Sequence, residues 1–317
     1  MQVYITRELP DIAFNLLKKN NIRFDYYKKD QAIPRKLLLQ KVKNCEALIS
    51  LLTEKIDEEV INAMQNCKII ANYAVGYNNI DVEYAKKKGL VVTNTPDVLT
   101  ESTADLTMAL VLACARRINE AENTLRHNKF KGWKPKLLLG MELKDKYFGI
   151  LGAGRIGTAV ATRAKSFGTK IIYADNSRNR GLEKKTNARK VSSDYLLRNS
   201  DIVSVHLPLN NKTHHYLNSE RLYQLKKDSI LINTSRGEII DESELIKVLK
   251  KNKLMAVGLD VFENEPVLNK SLLNFPNVLI LPHIGSATQE ARNAMAELAV
   301  KNVINVINGK KPFTPVK

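Results

Sequence analysis

The strongest constraint on the fold is a rhythm. Between Tyr147 and Ile284, short and almost uninterrupted apolar runs alternate with helical patterns. The runs are Phe148–Gly152, Ile171–Asp175, Ile202–Leu207, Ser229–Ser235, Ala256–Val261 and Val278–Pro282. A strand that is apolar on both sides must be covered on both faces, as in a parallel sheet flanked by helices. Strands separated by helices give βαβ crossovers, so the spacing predicts a doubly wound α/β unit of six parallel strands. The first ~95 residues repeat the alternation in shorter form. There Val3–Thr6, Ala47–Leu51, Ile69–Tyr73 and Val91–Thr93 read as strands, with helices at Glu58–Met64 and Asp81–Lys88. This predicts a second α/β unit. Glu101–Arg117 reads as one long helix. Glu101 and Asp105 open it, Leu106, Ala109, Leu110 and Ala113 form its apolar stripe, and Arg116 and Arg117 close it. A last helical pattern, Gln289–Ile304, lies beyond the six-strand unit and is expected to return to the N-terminal one.

Composition supports this layout. A chain of 317 residues fits about two domains. With 44% hydrophobic and 26% charged residues it is neither a disordered chain nor a fibrous one. No run of about 18 apolar residues is present, which argues against a transmembrane helix. Met1 to Pro10 lacks a basic segment followed by an apolar one, so no signal peptide is expected, and a cytoplasmic location is. Cys45, Cys67 and Cys114 are widely spaced, so neither a disulfide framework nor a thiolate zinc site is expected. The net charge of +17 invites a nucleic-acid reading. The basic residues are spread along the chain, however, and clusters such as Lys86-Lys87-Lys88 and Lys250-Lys251 sit at helix ends, where cations suit the dipole. No nucleic-acid partner is expected, and the charge would instead draw in anionic small molecules.

One motif carries chemistry of its own. Gly152-Ala153-Gly154-Arg155-Ile156-Gly157 follows a predicted strand and opens a predicted helix. In that context the glycines form a dinucleotide fingerprint. Gly152 permits the tight turn, Gly154 lets the backbone approach a pyrophosphate, and Gly157 lets helix and strand pack closely. Helix amides at Arg155 and Ile156 face the phosphates. Asp175, at the end of the next strand, is placed to accept hydrogen bonds from an adenosine ribose. Its charge opposes a 2′-phosphate and favours NAD. Arg178 and Arg180 follow closely, which leaves NADP open.

Ligands of open α/β sheets bind beyond the carboxyl ends of the strands. Arg236, Glu265 and His283 each follow a predicted strand there. The guanidinium can hold a carboxylate, the imidazole can donate a proton, and the carboxylate can orient that imidazole. Beside a nicotinamide these are the parts for hydride transfer to a keto acid. The other histidines say less. His206 lies in a strand, and the adjacent His214 and His215 have no evident third ligand, so no metal site is expected.

With these residues in view, the sequence resembles the D-isomer-specific 2-hydroxyacid dehydrogenases. The likeness covers Ala74–Asp81, Thr93–Thr100, Leu151–Gly157, Ile232–Gly237, Gly258–Phe262 and Leu281–Ser286. Trp133-Lys134-Pro135, Leu138-Leu139-Gly140 and the run Gly285–Arg292 make it most similar to the glyoxylate/hydroxypyruvate reductases. The resemblance implies NAD(P)H-dependent reduction of a small 2-keto acid to the D-2-hydroxy acid. It implies His283 as general acid, Glu265 as its partner, and Arg236 on the substrate. It further implies that backbone amides of Val75 and Gly76 hold the substrate carboxylate, and that Thr103, Thr234, Asp260 and Gly285 border the cofactor. It implies two Rossmann-like domains, with residues 99–286 as the dinucleotide-binding domain inserted into a catalytic domain of residues 1–98 plus 287–317. It also implies a homodimer built through the long helix and the loop after it, about Asn119–Gly140. Two positions depart from the pattern: Ala153, where many members carry Leu, and Asp175, where several glyoxylate reductases carry an Arg-rich loop. D-lactate and other D-2-hydroxyacid dehydrogenases are the nearest alternatives, and NAD-sensing corepressor-like proteins share the fold.

Overall fold

The computed structural model describes residues 2–316. The chain divides into two compact units, one running to Leu99 and resuming at Ala287, the other spanning Thr100–Ser286.

The first unit holds β1 (Val3–Ile5), α1 (Asp11–Lys19), β2 (Phe24–Tyr26), α2 (Arg35–Val42), β3 (Ala47–Ser50), α3 (Glu58–Ala63), β4 (Ile69–Asn72), α4 (Val82–Lys87) and β5 (Val91–Thr93). Its sheet runs β2-β1-β3-β4-β5, all parallel, with Val3 opposite both Phe24 and Ala47. Four of the five strands follow the apolar runs. The exception, β2, is half-buried along its length at the sheet edge, and its Asp25 is paired with Lys41 at 2.8 Å. An edge strand needs no two-sided apolar pattern.

The second unit opens with α5 (Thr100–Ala115) and α6 (Ile118–Arg126). The single helix expected over 101–117 ends early because Arg117 takes a left-handed conformation, φ 54°, and then pairs with Glu120 through two bonds of 2.8 and 2.7 Å. There follow β6 (Tyr147–Leu151), α7 (Arg155–Ser166), β7 (Lys170–Ala174), α8 (Arg180–Thr186), β8 (Arg189–Lys190), α9 (Ser193–Asn199), β9 (Ile202–Val205), α10 (Ser219–Gln224), β10 (Ser229–Asn233), α11 (Glu242–Lys250), β11 (Leu254–Leu259) and β12 (Val278–Ile280). The sheet order is β12-β11-β10-β9-β6-β7-β8, again all parallel. Six strands follow the predicted runs. The seventh, β8, is two exposed basic residues on an edge. Chain order reverses between β6 and β9, which makes their carboxyl ends the switch point where such sheets bind ligands.

α12 (Gln289–Ile307) returns to the first unit. It buries Ala291, Met295, Ala296, Ala299, Val300 and Val303, and its Arg292 carbonyl accepts the Tyr73 hydroxyl at 2.8 Å. The chain after it is pinned by one buried side chain. Asn302 Oδ1 accepts the Phe313 and Thr314 amides at 2.7 and 3.2 Å, and its Nδ2 donates to Leu298 O and Thr314 Oγ1. The Val316 amide then bonds Val92 O of β5 at 2.8 Å. Asn302→Ala strips two amides of their acceptor, so it is expected to cost about 2–3 kcal/mol in urea unfolding. A loss below about 0.5 kcal/mol, the range of ordinary surface changes, would mean that the tail does not depend on this clamp.

Candidate active site

The glycine loop lies between β6 and α7. Gly152 has φ +93°, and a Cβ there would stand 2.7 Å from the carbonyl oxygen of His206, so only glycine suits it. A Cβ at Gly157 would collide with the Gly152 carbonyl, which lets α7 start close against the strand. Gly154 differs. A Cβ there meets no protein atom within 4 Å, and its φ of −72° suits any residue. Nothing in the protein demands glycine at 154, whereas a ligand lying against the backbone would. No side chain caps α7, although α8, α9, α10 and α11 are each capped by an Asn, Ser or Asp. Its first-turn amides, with Arg155 and Ile156, thus suit a phosphate group. These features fit a dinucleotide.

Asp175 ends the β7 segment. One carboxylate oxygen accepts the Ala153 amide of the glycine loop at 2.8 Å, and the other accepts the Ser177 amide at 3.1 Å. Asn179 donates to Ala153 O at 2.8 Å. Asp175 therefore supports the glycine loop through its bond to Ala153. Arg178 reaches Glu183 at 2.9 Å.

The second cluster forms at the carboxyl ends of β10, β11 and β12. His283 Nδ1 lies 2.7 Å from Glu265 Oε2, and each side chain is about a quarter exposed. Glu265 Oε1 accepts the Phe262 amide at 3.2 Å. Arg236 is largely shielded, donates to the Ser235 carbonyl at 2.7 Å, and feels the charge of Glu265. Burial pushes its pKa below the usual arginine value, and the attraction of Glu265, then Glu238, opposes that shift.

His283 has φ +56°, a left-handed backbone that costs a non-glycine residue about 1–2 kcal/mol. Asp260 holds it there. This carboxylate is 1% exposed, and its two oxygens accept the Ile284 and Gly285 amides at 2.8 and 2.7 Å. Burial raises the Asp260 pKa, and the two amide bonds oppose the rise. A Cβ at Gly285 would stand 3.1 Å from Asp260 and 3.4 Å from Thr103, so these three positions adjoin. Thr103 O accepts Thr107 Oγ1 at 2.8 Å, and Thr107 Oγ1 lies 2.8 Å from Thr234 Oγ1. The residues expected to border a nicotinamide thus form one connected patch beside His283. The clamp by Asp260 is a contact that no sequence period signals.

A supporting network lies behind this cluster. The Glu263 carboxylate pairs with His215, and the Glu263 amide donates to the buried Glu242 at 2.6 Å. Burial raises the Glu242 pKa. His215 Nδ1 also lies 3.8 Å from Asp241. His206 Nε2 bonds Ser204 Oγ at 2.8 Å, and shielding from water lowers its pKa to about 3, so it stays neutral. In the first unit, the Val75 and Gly76 carbonyls accept Asn94 and Asn72 side chains at 2.7 and 2.8 Å, which fixes the shape of that loop.

A fingerprint loop at the switch point and an Arg–Glu–His cluster on the same sheet edge define an oxidoreductase of dinucleotides. Comparison with known proteins names the kind. Residues 108–285 match the model of the D-isomer specific 2-hydroxyacid dehydrogenase NAD binding domain. The chain is 47% identical over 315 residues to a glyoxylate reductase of Thermococcus litoralis, covering 98% of this chain and 95% of that one. Among solved structures, a protein of Thermus thermophilus is similar at TM-score 0.94 and 40% identity over the whole of both chains. An NADPH-dependent glyoxylate/hydroxypyruvate reductase from Sinorhizobium meliloti, in complex with NADP and malonate, is similar at TM-score 0.86 and 31% identity, covering 99% of this chain and 96% of that one. The chain belongs to the D-isomer specific 2-hydroxyacid dehydrogenase family, in its glyoxylate reductase branch.

The open space at Gly154 gives a direct check on the fingerprint. Gly154→Ala is expected to leave the thermal midpoint unchanged while weakening NADH binding by about tenfold or more, read by fluorescence titration. Equal affinities would show that no ligand approaches the backbone there.

Proposed function

We propose that glyoxylate and hydroxypyruvate are the 2-keto acids this chain reduces, yielding glycolate and D-glycerate. What carries the reading is the His283–Glu265 pair beside a shielded Arg236, in a chain whose relatives are glyoxylate reductases. Arg236 takes the substrate carboxylate and polarises the carbonyl, and its planar fork suits both oxygens. The backbone amides of Val75 and Gly76 are assigned to substrate binding. Glu265 engages His283 Nδ1, which leaves Nε2 as the nitrogen that gives its proton to the carbonyl oxygen. When bound, the reduced dinucleotide supplies the hydride that C2 receives. Gly152, Gly154, Gly157 and the α7 amides hold its pyrophosphate, with Asp175 at the adenosine ribose and Thr103, Thr234, Asp260 and Gly285 around the nicotinamide.

Among the described residues no helix is long and apolar enough to cross a membrane. We place the enzyme in the cytoplasm, acting on small anions without a nucleic-acid partner. We also assign it a homodimer. Ile118, Leu125, Phe130, Trp133 and Leu139 are all exposed in α6 and the loop after it, Trp133 to 81%. Apolar side chains gathered in one segment mark an association surface.

The deciding experiment is initial-rate oxidation of NADH and NADPH with glyoxylate, hydroxypyruvate, pyruvate and phenylpyruvate. Fast turnover with the first two is expected, and a clear preference for either of the others would overturn the substrate assignment. His283→Ala is expected to lower kcat by about 10²–10⁴ with NADH affinity intact. An unchanged kcat would remove the general acid. Light scattering is expected to give the mass of two chains, and Trp133→Glu with Leu139→Glu the mass of one. A single-chain mass for the unaltered protein would refute the dimer.

A further inference from the structure

Cys45 and Cys67 lie apart in sequence but side by side in the first unit. Cys45 precedes β3 by two residues, and Cys67 precedes β4 by two. The two strands are parallel, with Ala47 opposite Ile69. The pairing continues outward, because the Lys68 amide donates to Glu46 O at 2.8 Å. That register places Cys45 opposite Cys67. Parallel neighbours stand about 4.8 Å apart, within the span of about 4.4–6.8 Å that a disulfide bridges between Cα atoms. Both side chains join the apolar cluster of Leu48 and Ile70, where the two thiols influence one another's titration. Each also meets a carbonyl, Cys45 that of Val42 at 3.4 Å and Cys67 that of Ile69 at 3.3 Å.

We propose that Cys45 and Cys67 form a peroxide-reactive dithiol that closes to an intramolecular disulfide between the starts of β3 and β4.

The two sulfurs are not equivalent. Cys45 is fully buried, whereas Cys67 is half-buried, so an oxidant reaches Cys67 first. The neighbouring Cys45 thiol lowers the Cys67 pKa, burial opposes the fall, and backbone groups at Ile69, Leu48 and Lys68 add to it. The same contact, with burial, raises the Cys45 pKa. Thiolate character therefore collects on the accessible sulfur, which is where nucleophilic attack begins. The Cys67 sulfur attacks the O–O bond of a hydroperoxide. That bond breaks, the leaving oxygen takes up a proton as water or an alcohol, and Cys67 becomes a sulfenic acid. Cys45 then loses its proton as its sulfur attacks the sulfenic sulfur, the S–O bond breaks, and water leaves. Two electrons pass from the dithiol to the peroxide, and a thiol reductant reverses the change by exchange.

Cys114 provides an internal control. It sits in the second unit, is buried, and has its pKa pushed up to about 12 by burial, so it should stay reduced. The bridge lies at the amino ends of β3 and β4, and the Val75–Gly76 loop leaves from the carboxyl end of β4. Closure is therefore expected to leave reductase activity unchanged.

The test treats the reduced full-length protein with an equivalent of hydrogen peroxide, then alkylates it under denaturing conditions. Intact mass is expected to fall by two hydrogens, with a single thiol, Cys114, left to alkylate. Trypsin without reductant should release Asn44–Lys55 joined to Ile56–Lys68, and dithiothreitol should part them. In Cys45→Ser the reaction should stop at a sulfenic acid on Cys67 that dimedone traps. Three alkylatable thiols after oxidation would overturn the proposal. So would a sulfinic acid on Cys67 without the joined peptides, or a disulfide between two chains. The unaltered protein decides the matter even if the serine variant fails to fold.

Discussion

The seven-stranded sheet is buried on both faces, and the position of the chemistry follows from that burial. Its strands all run the same way, so tight hairpins cannot join them, and the connections cross over, through an α-helix in every case but that between β11 and β12. All carboxyl ends then share one edge. The glycine loop after β6 and the segments after β10, β11 and β12 that carry Arg236, Glu265 and His283 gather there without any contact between their strands being specific to function. The fully buried Ile230, Leu231, Ile232 and Val257 supply the apolar area that holds this frame.

On that edge a single buried carboxylate fixes His283, the general acid we propose. His283 occupies a left-handed conformation that its side chain disfavours. Asp260 offsets the cost with two charged hydrogen bonds to the next two amides, in surroundings too dry for water to compete. The consequence is positional. With its backbone set by Asp260 and its Nδ1 set by Glu265, the ring has little freedom, and Nε2 is presented in one direction. Glu265 is itself steadied by its turn, where the Phe262 amide bonds it and the next residue, Glu263, is tied to His215 and Glu242. Geometry held this tightly is what proton transfer requires.

The parts that could be read from sequence are those with a period. The apolar runs mark the interior strands of both sheets, and the glycine spacing marks the loop that follows β6. The residues on the crest could be found because each comes directly after such a run. β2 and β8 escaped, since a half-exposed edge strand carries no two-sided apolar signature. The break at Arg117 escaped because an arginine in the left-handed region is held by its own salt bridge to Glu120, with no glycine or proline to announce it. The Asp260 clamp and the Asn302 pin join residues distant in sequence or oriented by tertiary packing, and no local pattern encodes them. The facing of Cys45 and Cys67 is of the same kind. It depends on strand register, which a list of cysteine spacings does not contain.

Coenzyme choice shows how one residue can serve structure and selection together. Asp175 accepts the Ala153 amide, so a side chain without an acceptor there would loosen the glycine loop. At the ribose position we propose for it, its negative charge would work against NADPH. The cation that such a phosphate needs is close by, in Arg178, but is engaged with Glu183. That pair is exposed on the arginine side, and exposed ion pairs hold weakly against water and salt. A phosphate could therefore recruit Arg178 at small cost, while the repulsion from Asp175 would remain. The discrimination we propose against NADPH would thus rest on one carboxylate rather than on the lack of a basic partner.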